Sequence, residues 1–444
     1  MERKPAIAIV FHHIGPYHHA RLNAAADGLS VIGIEWSAKG YDAWGAADIP
    51  VRYHKVSLFS EATDGHPGKA ELRQAFCWAL EQAKPDVVAV NGWNNFGSLA
   101  AANCCVARGI PMVVISESAR EDELRTWWKE MLKRRIVDLY SAALVGGQRH
   151  IDYLVELGMP RERIFTGYDV VDNHYFARRA AEIRNSHLRR SSLRSPESFR
   201  GYGGQAAFEI RNKHGLPENY FLASARFIPK KNLLRLVQAY AEYRRASDVE
   251  TSQGAGNPPS PRLRRTGTPW DLVLLGDGPL RETLNTQLST LNLQAHVHLP
   301  GFKQYDELPV YYALAKAFVH ASTTEQWGLV VNEAIASGLP VIVSDRCGCV
   351  PELVNGNGFT FDPFDEQELV ARLSQMASLS DDERKSMSDA SYRISANFAP
   401  KRFGEGLEQA ARLALNRPRK ASLIGRALII AIENARLRRR SNQR

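Results

Sequence analysis

Cysteine is scarce in this 444-residue chain, long apolar runs are missing, and no Asp-x-Asp triplet occurs. The five cysteines (Cys77, Cys104, Cys105, Cys347 and Cys349) are odd in number, and Cys347-Gly-Cys349 is too tight for a zinc knuckle. They read as reduced thiols of a cytoplasmic protein, and no metal site is expected. No apolar run approaches the ~18 residues of a membrane-crossing helix. The opening "MERKPAIAIVFHHIG" has too short an apolar stretch for a signal-peptide core and reads as a first strand.

Basic charge is present, but not in the pattern of a nucleic-acid binder. The formal charge is +9. Residues 417–444, 178–200 and 244–265 carry about +8, +5 and +3, which leaves the remainder at about −7. A basicity confined to a tail and two loose segments leaves no structured face for nucleic acid. At 44% hydrophobic and 24% charged the composition is that of a globular protein, and the length suits two domains.

β-Branched runs alternate with helical patterns from the start: "AIAIVF", "VIGIEW", "DVVAVNG", "PMVVIS" and "AALVGG". Strands without polar alternation, separated by helices, predict a parallel sheet covered on both faces. The pattern stops near Tyr175, gives way to an Arg- and Ser-rich stretch, and restarts at "YFLASARF". It continues through "WDLVLLG", "HVHLPG", "AFVHAS", "LPVIVSD" and "GFTFD". The expected organisation is a Rossmann-like domain over 1–177, a basic linker or insert over 178–205, and a second Rossmann-like domain over 206–400. The second domain is interrupted by a disordered insert at 247–269, and 401–444 adds a helix and basic tail. The fold class is α/β: two doubly wound parallel sheets facing a cleft, with ligands beyond the carboxyl ends of the strands.

One stretch carries the chemistry: "HASTTEQWGLVVNEAIASGLPVIVSD", His320 to Asp345. A buried strand, a turn containing Gly328, and a helix capped by Gly338 follow in order. Amides near Gly328, Leu329 and Val330 are the unpaired donors of a helix start, a ready anion site. Gly328 lets a phosphate approach the backbone. Glu325 would lie beside a group attached to that phosphate, and Glu333 could reach a ribose diol. A phosphate flanked by two hydroxyl-rich rings describes a nucleotide sugar.

The E-x7-E pattern of "EQWGLVVNEAIASGLPVI" resembles the retaining glycosyltransferases of family 4 (group 1), which have the GT-B fold. The resemblance extends through "ARFIPKKNLLRLVQAY", "LLGDGPL" and "LPGFKQYDELPVYYALAKAFVHAS" and covers most of 219–400. It implies that Glu325 contacts the donor sugar and Glu333 the ribose. Arg226 and Lys231, spaced five apart as in the family, would hold the diphosphate and help it leave. Amides near Trp327, Gly328 and Leu329 would bind phosphate, and the Gly301-Phe302 loop would lie near the base. In the first half the resemblance is weaker. It places Gly15 against the diphosphate and Tyr17 or His18 toward the acceptor, with Ser116 or Glu117 where many members carry a His. Lysine and arginine can replace a metal at the diphosphate, so no cofactor is expected.

Plainer readings exist for several features. His12, His13, His18 and His19 fit a loop and helix start better than a metal cluster, since His18 and His19 cannot share a helix face. "REDE" (Arg120–Glu123) suits a carboxylate cluster or a solvated helix start equally. Trp93 is either an acceptor platform or a core aromatic. The C-terminal "ASLIGRALIIAIENARLRRR" either lies in an anionic membrane surface or docks on the body. The function expected is transfer of a sugar from a nucleotide-diphosphate sugar to a glycan or lipid-linked acceptor. The setting expected is polysaccharide or lipopolysaccharide assembly at the inner face of the cytoplasmic membrane. A nucleotide-sugar epimerase and a non-catalytic sugar-nucleotide binder are the alternatives.

Overall fold

Apolar runs of Val, Ile and Ala with no polar alternation become strands buried on both faces. The structure, a computed structural model, describes residues 3–37, 50–59, 68–93, 95–123, 125–185, 203–252, 269–418, 427 and 429–431. The chain divides into two units, one of Met1–Asp172 with Phe398–Arg444 and the other of Asn173–Asn397.

The first unit holds β1 (Ala6–Phe11), β2 (Ser30–Glu35), β3 (His54–Ser57), β4 (Val87–Asn91), β5 (Met112–Ser116), β6 (Ala142–Val145) and β7 (Ile164–Thr166). They pair in parallel in the order β3-β2-β1-β4-β5-β6-β7. The second unit holds β8 (Tyr220–Ser224), β9 (Asp271–Leu275), β10 (Val297–Gly301), β11 (Ala317–His320), β12 (Val341–Ser344) and β13 (Gly358–Phe361). Their order is β10-β9-β8-β11-β12-β13, again parallel. In each sheet the winding reverses beside the first strand, at β1/β4 and at β8/β11. Such a switch leaves a crevice at the carboxyl ends of the two strands, because the loops there diverge to opposite faces.

Long-range packing moves three boundaries away from the sequence expectation. The helix Asn173–Arg184 runs into the stretch read as a linker, and it buries Phe176, Ala180 and Ile183 within the second unit. The helix Leu233–Ser252 likewise runs into the expected 247–269 insert. The helix Pro400–Asn416 belongs to the first unit, where it buries Phe403, Leu407, Ala410, Ala411 and Ala414 as a single stripe. Gly404 and Gly406 allow this docking, since a Cβ there would lie 2.9 Å from the Ala24 carbonyl and 2.2 Å from the Thr166 carbonyl. The remaining parts of the two expected inserts, 186–202 and 253–268, lie outside the described residues, as does nearly all of 421–440.

The cysteine reading also needs correction. Cys77 and Cys104 form a disulfide between the helices Lys69–Ala83 and Phe96–Arg108, with Cα atoms 5.6 Å apart. These helices flank β4 and pack side by side, a contact that spacing along the chain does not reveal. Cys105, Cys347 and Cys349 are free and buried. Trp93 is 3% exposed and packs in the core of the first unit, which decides its indole body as a core aromatic. Among the described residues no helix is long and apolar enough to cross a membrane.

Candidate functional site

The loop after β8 is built on buried Phe227 and on close backbone packing against the turn after β9. Phe227 donates its amide to the Asp277 carbonyl at 2.8 Å, and the Leu280 amide donates to the Phe227 carbonyl at 3.0 Å. Gly276 and Gly278 adopt φ of 123° and 151°, and a Cβ on Gly276 would fall 1.9 Å from the Ala225 carbonyl. "GDGP", a common turn by sequence, is therefore a fitted support for the loop that carries Arg226 and Lys231. That loop ends in the short turn Pro229–Lys231 and in Asn232, whose φ is 57°.

The loop after β11 lies next to it. The Thr323 amide donates to the Lys230 carbonyl at 2.9 Å, so backbone ties the two loops together across the β8/β11 switch. Lys231 Nζ then meets Glu325 Oε2 in a direct ion pair, with the two side chains 12% and 14% exposed. Ser322 Oγ donates to the same oxygen at 3.2 Å, and His320 Nε2 lies 3.4 Å from it. A parallel bridge to Cys347 and the Gly348 amide donating to the Glu325 carbonyl at 2.9 Å fix the Glu325 backbone.

Electrostatics follow from this geometry. Burial acts to raise the Glu325 pKa, but the His320 hydrogen bond and the Lys231 charge outweigh it and hold the carboxyl well below the usual carboxylate range. Burial lowers the pKa of His320, so this imidazole is neutral at pH 7. His320 and Ser322 as partners of Glu325 escaped the sequence reading. The only sign of them was their position at the end of an apolar strand.

The helix Leu329–Ala336 starts from Gly328 at φ 107°, a backbone conformation that disfavours any side chain. Trp327 turns inward, 2% exposed, and its indole N–H donates to Asn332 Oδ1 at 2.8 Å. What the segment offers is backbone, at the first turn of a helix, beside the Lys231–Glu325 pair in sequence and in sheet position.

Glu333, the residue expected at a ribose diol, is enclosed in the second unit. It is 1% exposed and accepts a hydrogen bond from the Tyr312 hydroxyl at 2.6 Å. Burial and the Glu333 charge raise the Tyr312 pKa, so the phenol stays protonated and keeps donating. Arg226 is exposed, and its guanidinium makes no hydrogen bond or ion pair among the described residues. Gly301 (φ 85°) ends β10 and Phe302, which is 40% exposed, follows it; the Gly301 carbonyl accepts from the Gly276 amide at 3.0 Å. Arg226, Lys231, Gly301, Phe302, Glu325, Trp327, Gly328 and Leu329 thus all lie at or just after the carboxyl ends of strands in one sheet.

Gly15 belongs to the first unit and caps the helix Pro16–Ala25 at φ −97°, where any residue is allowed. Its amide donates to His18 Nδ1 at 3.1 Å, and burial holds that imidazole at about 3, hence neutral. Ser116 is buried at the end of β5 and accepts from the Ser118 amide at 3.2 Å. "REDE" is a set of local contacts: Asp122 accepts from the Ala119 amide at 2.7 Å, and Glu123 pairs with Lys133 at 2.9 Å.

Comparison with known proteins bears on this edge of the sheet. Residues 207–394 match the family model described as glycosyl transferases group 1. The second unit is thus similar to the group 1 glycosyltransferases over about two fifths of the chain. The chain is 28% identical over 144 residues to an alpha-monoglucosyldiacylglycerol synthase of Acholeplasma laidlawii, covering 32% of the chain and 31% of that relative. The same enzyme of Streptococcus pneumoniae is 28% identical over 200 residues, 44% of the chain and 41% of the relative. The chain thus spans well under half the length of these curated relatives. A solved structure of HepE from Anabaena, in complex with UDP and glucose, superposes with a TM-score of 0.62 at 17% identity, covering 90% of the chain and 97% of that one. The fold of the chain, with parallel sheets of seven and six strands, is therefore the GT-B fold.

Proposed function

We propose that the protein transfers a sugar, with retention of anomeric configuration, from a nucleotide-diphosphate sugar to a glycan or lipid-linked acceptor. The observation that carries this reading is the Lys231–Glu325 pair held on two backbone-tied loops at the β8/β11 switch, next to a helix start with a left-handed glycine. Without substrate the two charges neutralise each other. A bound diphosphate competes for Lys231, and Arg226 is available as a second cation. Once Lys231 turns to phosphate, Glu325 is left as an anion beside the sugar.

Breaking the anomeric C–O bond moves its electron pair onto the diphosphate. Lys231, Arg226 and the amides near Gly328 and Leu329 stabilise that charge. Positive charge develops on the sugar ring, where the Glu325 carboxylate and the departing phosphate oppose it. The acceptor oxygen bonds to the anomeric carbon on the same face and gives its proton to the leaving phosphate oxygen. In this reading Glu333, oriented by Tyr312, serves the ribose, and Gly301-Phe302 lies near the base. The biological setting proposed is polysaccharide or lipopolysaccharide assembly at a membrane surface, with the basic C-terminal segment as one contact to anionic lipid.

The test has two stages. A donor that binds the native state raises its melting temperature, so a screen of UDP-, GDP- and ADP-sugars identifies the nucleotide. The anomer of the transferred sugar is then read by NMR. An inverted product overturns retention, and no response to any nucleotide sugar overturns the donor assignment.

A further inference from the structure

Four loops at the carboxyl edge of the second sheet are tied into a closed ring. The Thr323 amide donates to the Lys230 carbonyl, which joins the loops after β8 and β11. The Glu325 amide donates to the Arg346 carbonyl at 3.4 Å, which joins β11 to β12, and the Asp345 amide donates to the Phe361 carbonyl at 2.9 Å, which joins β12 to β13. The side chains of Asn232 and Arg235 then both donate to the Pro363 carbonyl, at 2.9 and 2.8 Å, and bring the ring back to the β8 loop. Next to Pro363, the Phe364 amide donates to Asp362 Oδ1 at 2.9 Å. Phe364 is 57% exposed, so an aromatic ring stands in solvent on a backbone that is pinned on both sides.

Two guanidinium groups flank that ring, Arg235 at 5.7 Å and Arg346 at 6.0 Å from its centroid. Their charge is largely unspent. Arg235 donates to Asn232 Oδ1 and to the Pro363 carbonyl, and it makes no ion pair among the described residues. Arg346 meets only its chain neighbour Asp345, at 3.5 Å with both side chains nearly half exposed, a contact that contributes little. Glu366 is the other acid facing Arg235, and burial and Glu242 raise its pKa against the Arg235 charge. The position of the patch matters as well. In sheet order the Gly301-Phe302 turn lies at β10, the Lys231–Glu325 pair at β8/β11, Arg346 after β12 and Phe364 after β13. A nucleotide sugar laid with its base toward β10 and its diphosphate at Lys231 points its sugar toward β12 and β13.

We propose that Arg235, Arg346 and Phe364 form a subsite for a sugar ring that carries an anionic group, a carboxylate or a phosphate. The ring lays its apolar C–H face on Phe364, and the anionic group bonds to Arg346, with Arg235 beside it. An aromatic face suits a pyranose because the ring's axial hydrogens form an apolar patch. A guanidinium suits an anion because its planar fork matches two oxygens at once. The backbone ring around the patch holds these groups in place before the ligand arrives, which lowers the ordering cost of binding. The anionic ring belongs either to the transferred sugar or to the acceptor, since both meet beside Glu325. This assignment rests on the nucleotide-sugar reading of the same sheet edge and narrows its substrate to an acidic one.

The test uses the full chain and the nucleoside diphosphate that raises its melting temperature. In one arm, calorimetry compares the glucose and glucuronate esters of that nucleotide, which differ by a single carboxylate. In the other, protein saturated with the bare nucleoside diphosphate is titrated with methyl glucoside, methyl glucuronoside and glucose 6-phosphate. In one of the two arms an acidic probe should bind about tenfold tighter than the neutral one. The first arm would place the acid on the transferred sugar and the second on the acceptor. Arg346→Gln should remove that preference and Arg235→Gln should reduce it about threefold, while affinity for the bare nucleoside diphosphate stays unchanged. Phe364→Ala should weaken acidic and neutral sugars alike, about threefold, and leave their ratio intact. The subsite is overturned if acidic and neutral probes bind equally in both arms, or if the preference survives in the double arginine variant. It is equally overturned if the arginine variants lose bare diphosphate affinity, which would make them part of the diphosphate contact, or if they lower only the melting temperature, which would make the patch surface packing. A protein that binds the diphosphate without preferring an acidic probe sinks the subsite alone, whereas one that binds no nucleoside diphosphate sinks the donor reading and the subsite with it.

Discussion

Replacing Lys231 with Met removes one member of a nearly enclosed ion pair and leaves the other in place. Glu325 would keep Ser322 and His320 as hydrogen-bond partners but lose its only cation at contact distance among the described residues. Breaking a buried pair on one side costs about 3–5 kcal/mol. The remaining hydrogen bonds and the 14% exposure of Glu325 favour the lower end, about 3 kcal/mol. For a unit of this size that corresponds to a fall in melting temperature of about 6–12 °C. The pH dependence gives a sharper check. In the parent protein the Glu325 pKa is depressed, so its stabilisation is complete above the unfolded value of about 4.3 and fades only as pH falls below it. In Lys231→Met burial is no longer outweighed, the folded pKa rises above the unfolded one, and the carboxylate penalises the fold at pH 7. That penalty lifts as pH falls and the carboxyl protonates in the folded state. The gap in melting temperature should therefore narrow between pH 7 and pH 4.5, and Lys231→Met with Glu325→Gln should recover most of the stability at pH 7. A gap below about 2 °C, or one that does not change with pH, would refute the account of this pair.

Glu325→Gln should lower turnover more than donor affinity, because the charge it opposes develops only as the bond breaks; equal loss of both, by steady-state kinetics and calorimetry, would contradict that role. Glu333→Gln should weaken binding of the free nucleoside diphosphate about ten- to a hundredfold, since a charge-assisted hydrogen bond contributes about 1.5–3 kcal/mol. Unchanged affinity would make Glu333 a structural partner of Tyr312 alone. Gly276→Ala should destabilise the second unit and reduce donor response, because its Cβ would overlap the Ala225 carbonyl and its φ is 123°; a normal thermal shift with donor would show that the loop tolerates displacement. Deleting 253–268 with a short linker should leave soluble protein with an unchanged donor-induced thermal shift, and insoluble protein would reveal a structural role for that stretch.

How far the sequence reveals this molecule depends on whether the signal is local. Strands such as Val87–Asn91 and Val341–Ser344 are legible because a parallel strand covered on both faces has to be apolar throughout. The Gly328 turn and the Lys231 loop are legible because each lies within about eight residues of a strand end. Contacts between distant segments are not legible. Cys77 meets Cys104 only because two helices pack beside β4. Tyr312 reaches Glu333 from another helix, and His320 becomes a partner of Glu325 only once the turn folds back. The Pro400–Asn416 stripe shows that a face must be buried but not which unit buries it.

That last helix sets an order of events during synthesis. The first unit needs Phe403 to Ala414 to cover the surface at Ala24, Leu144 and Thr166, yet those residues leave the ribosome about 240 residues after Asp172. At ~5–20 residues per second the interval is roughly 12–50 s. Throughout it the earlier sheet has an open apolar flank, while the whole of the second unit, Asn173–Asn397, is made and able to close its own core. The half of the chain that begins first is thus the half that finishes last, and a fragment ending at Asp172 would expose to chaperones and proteases a surface that the mature protein keeps covered.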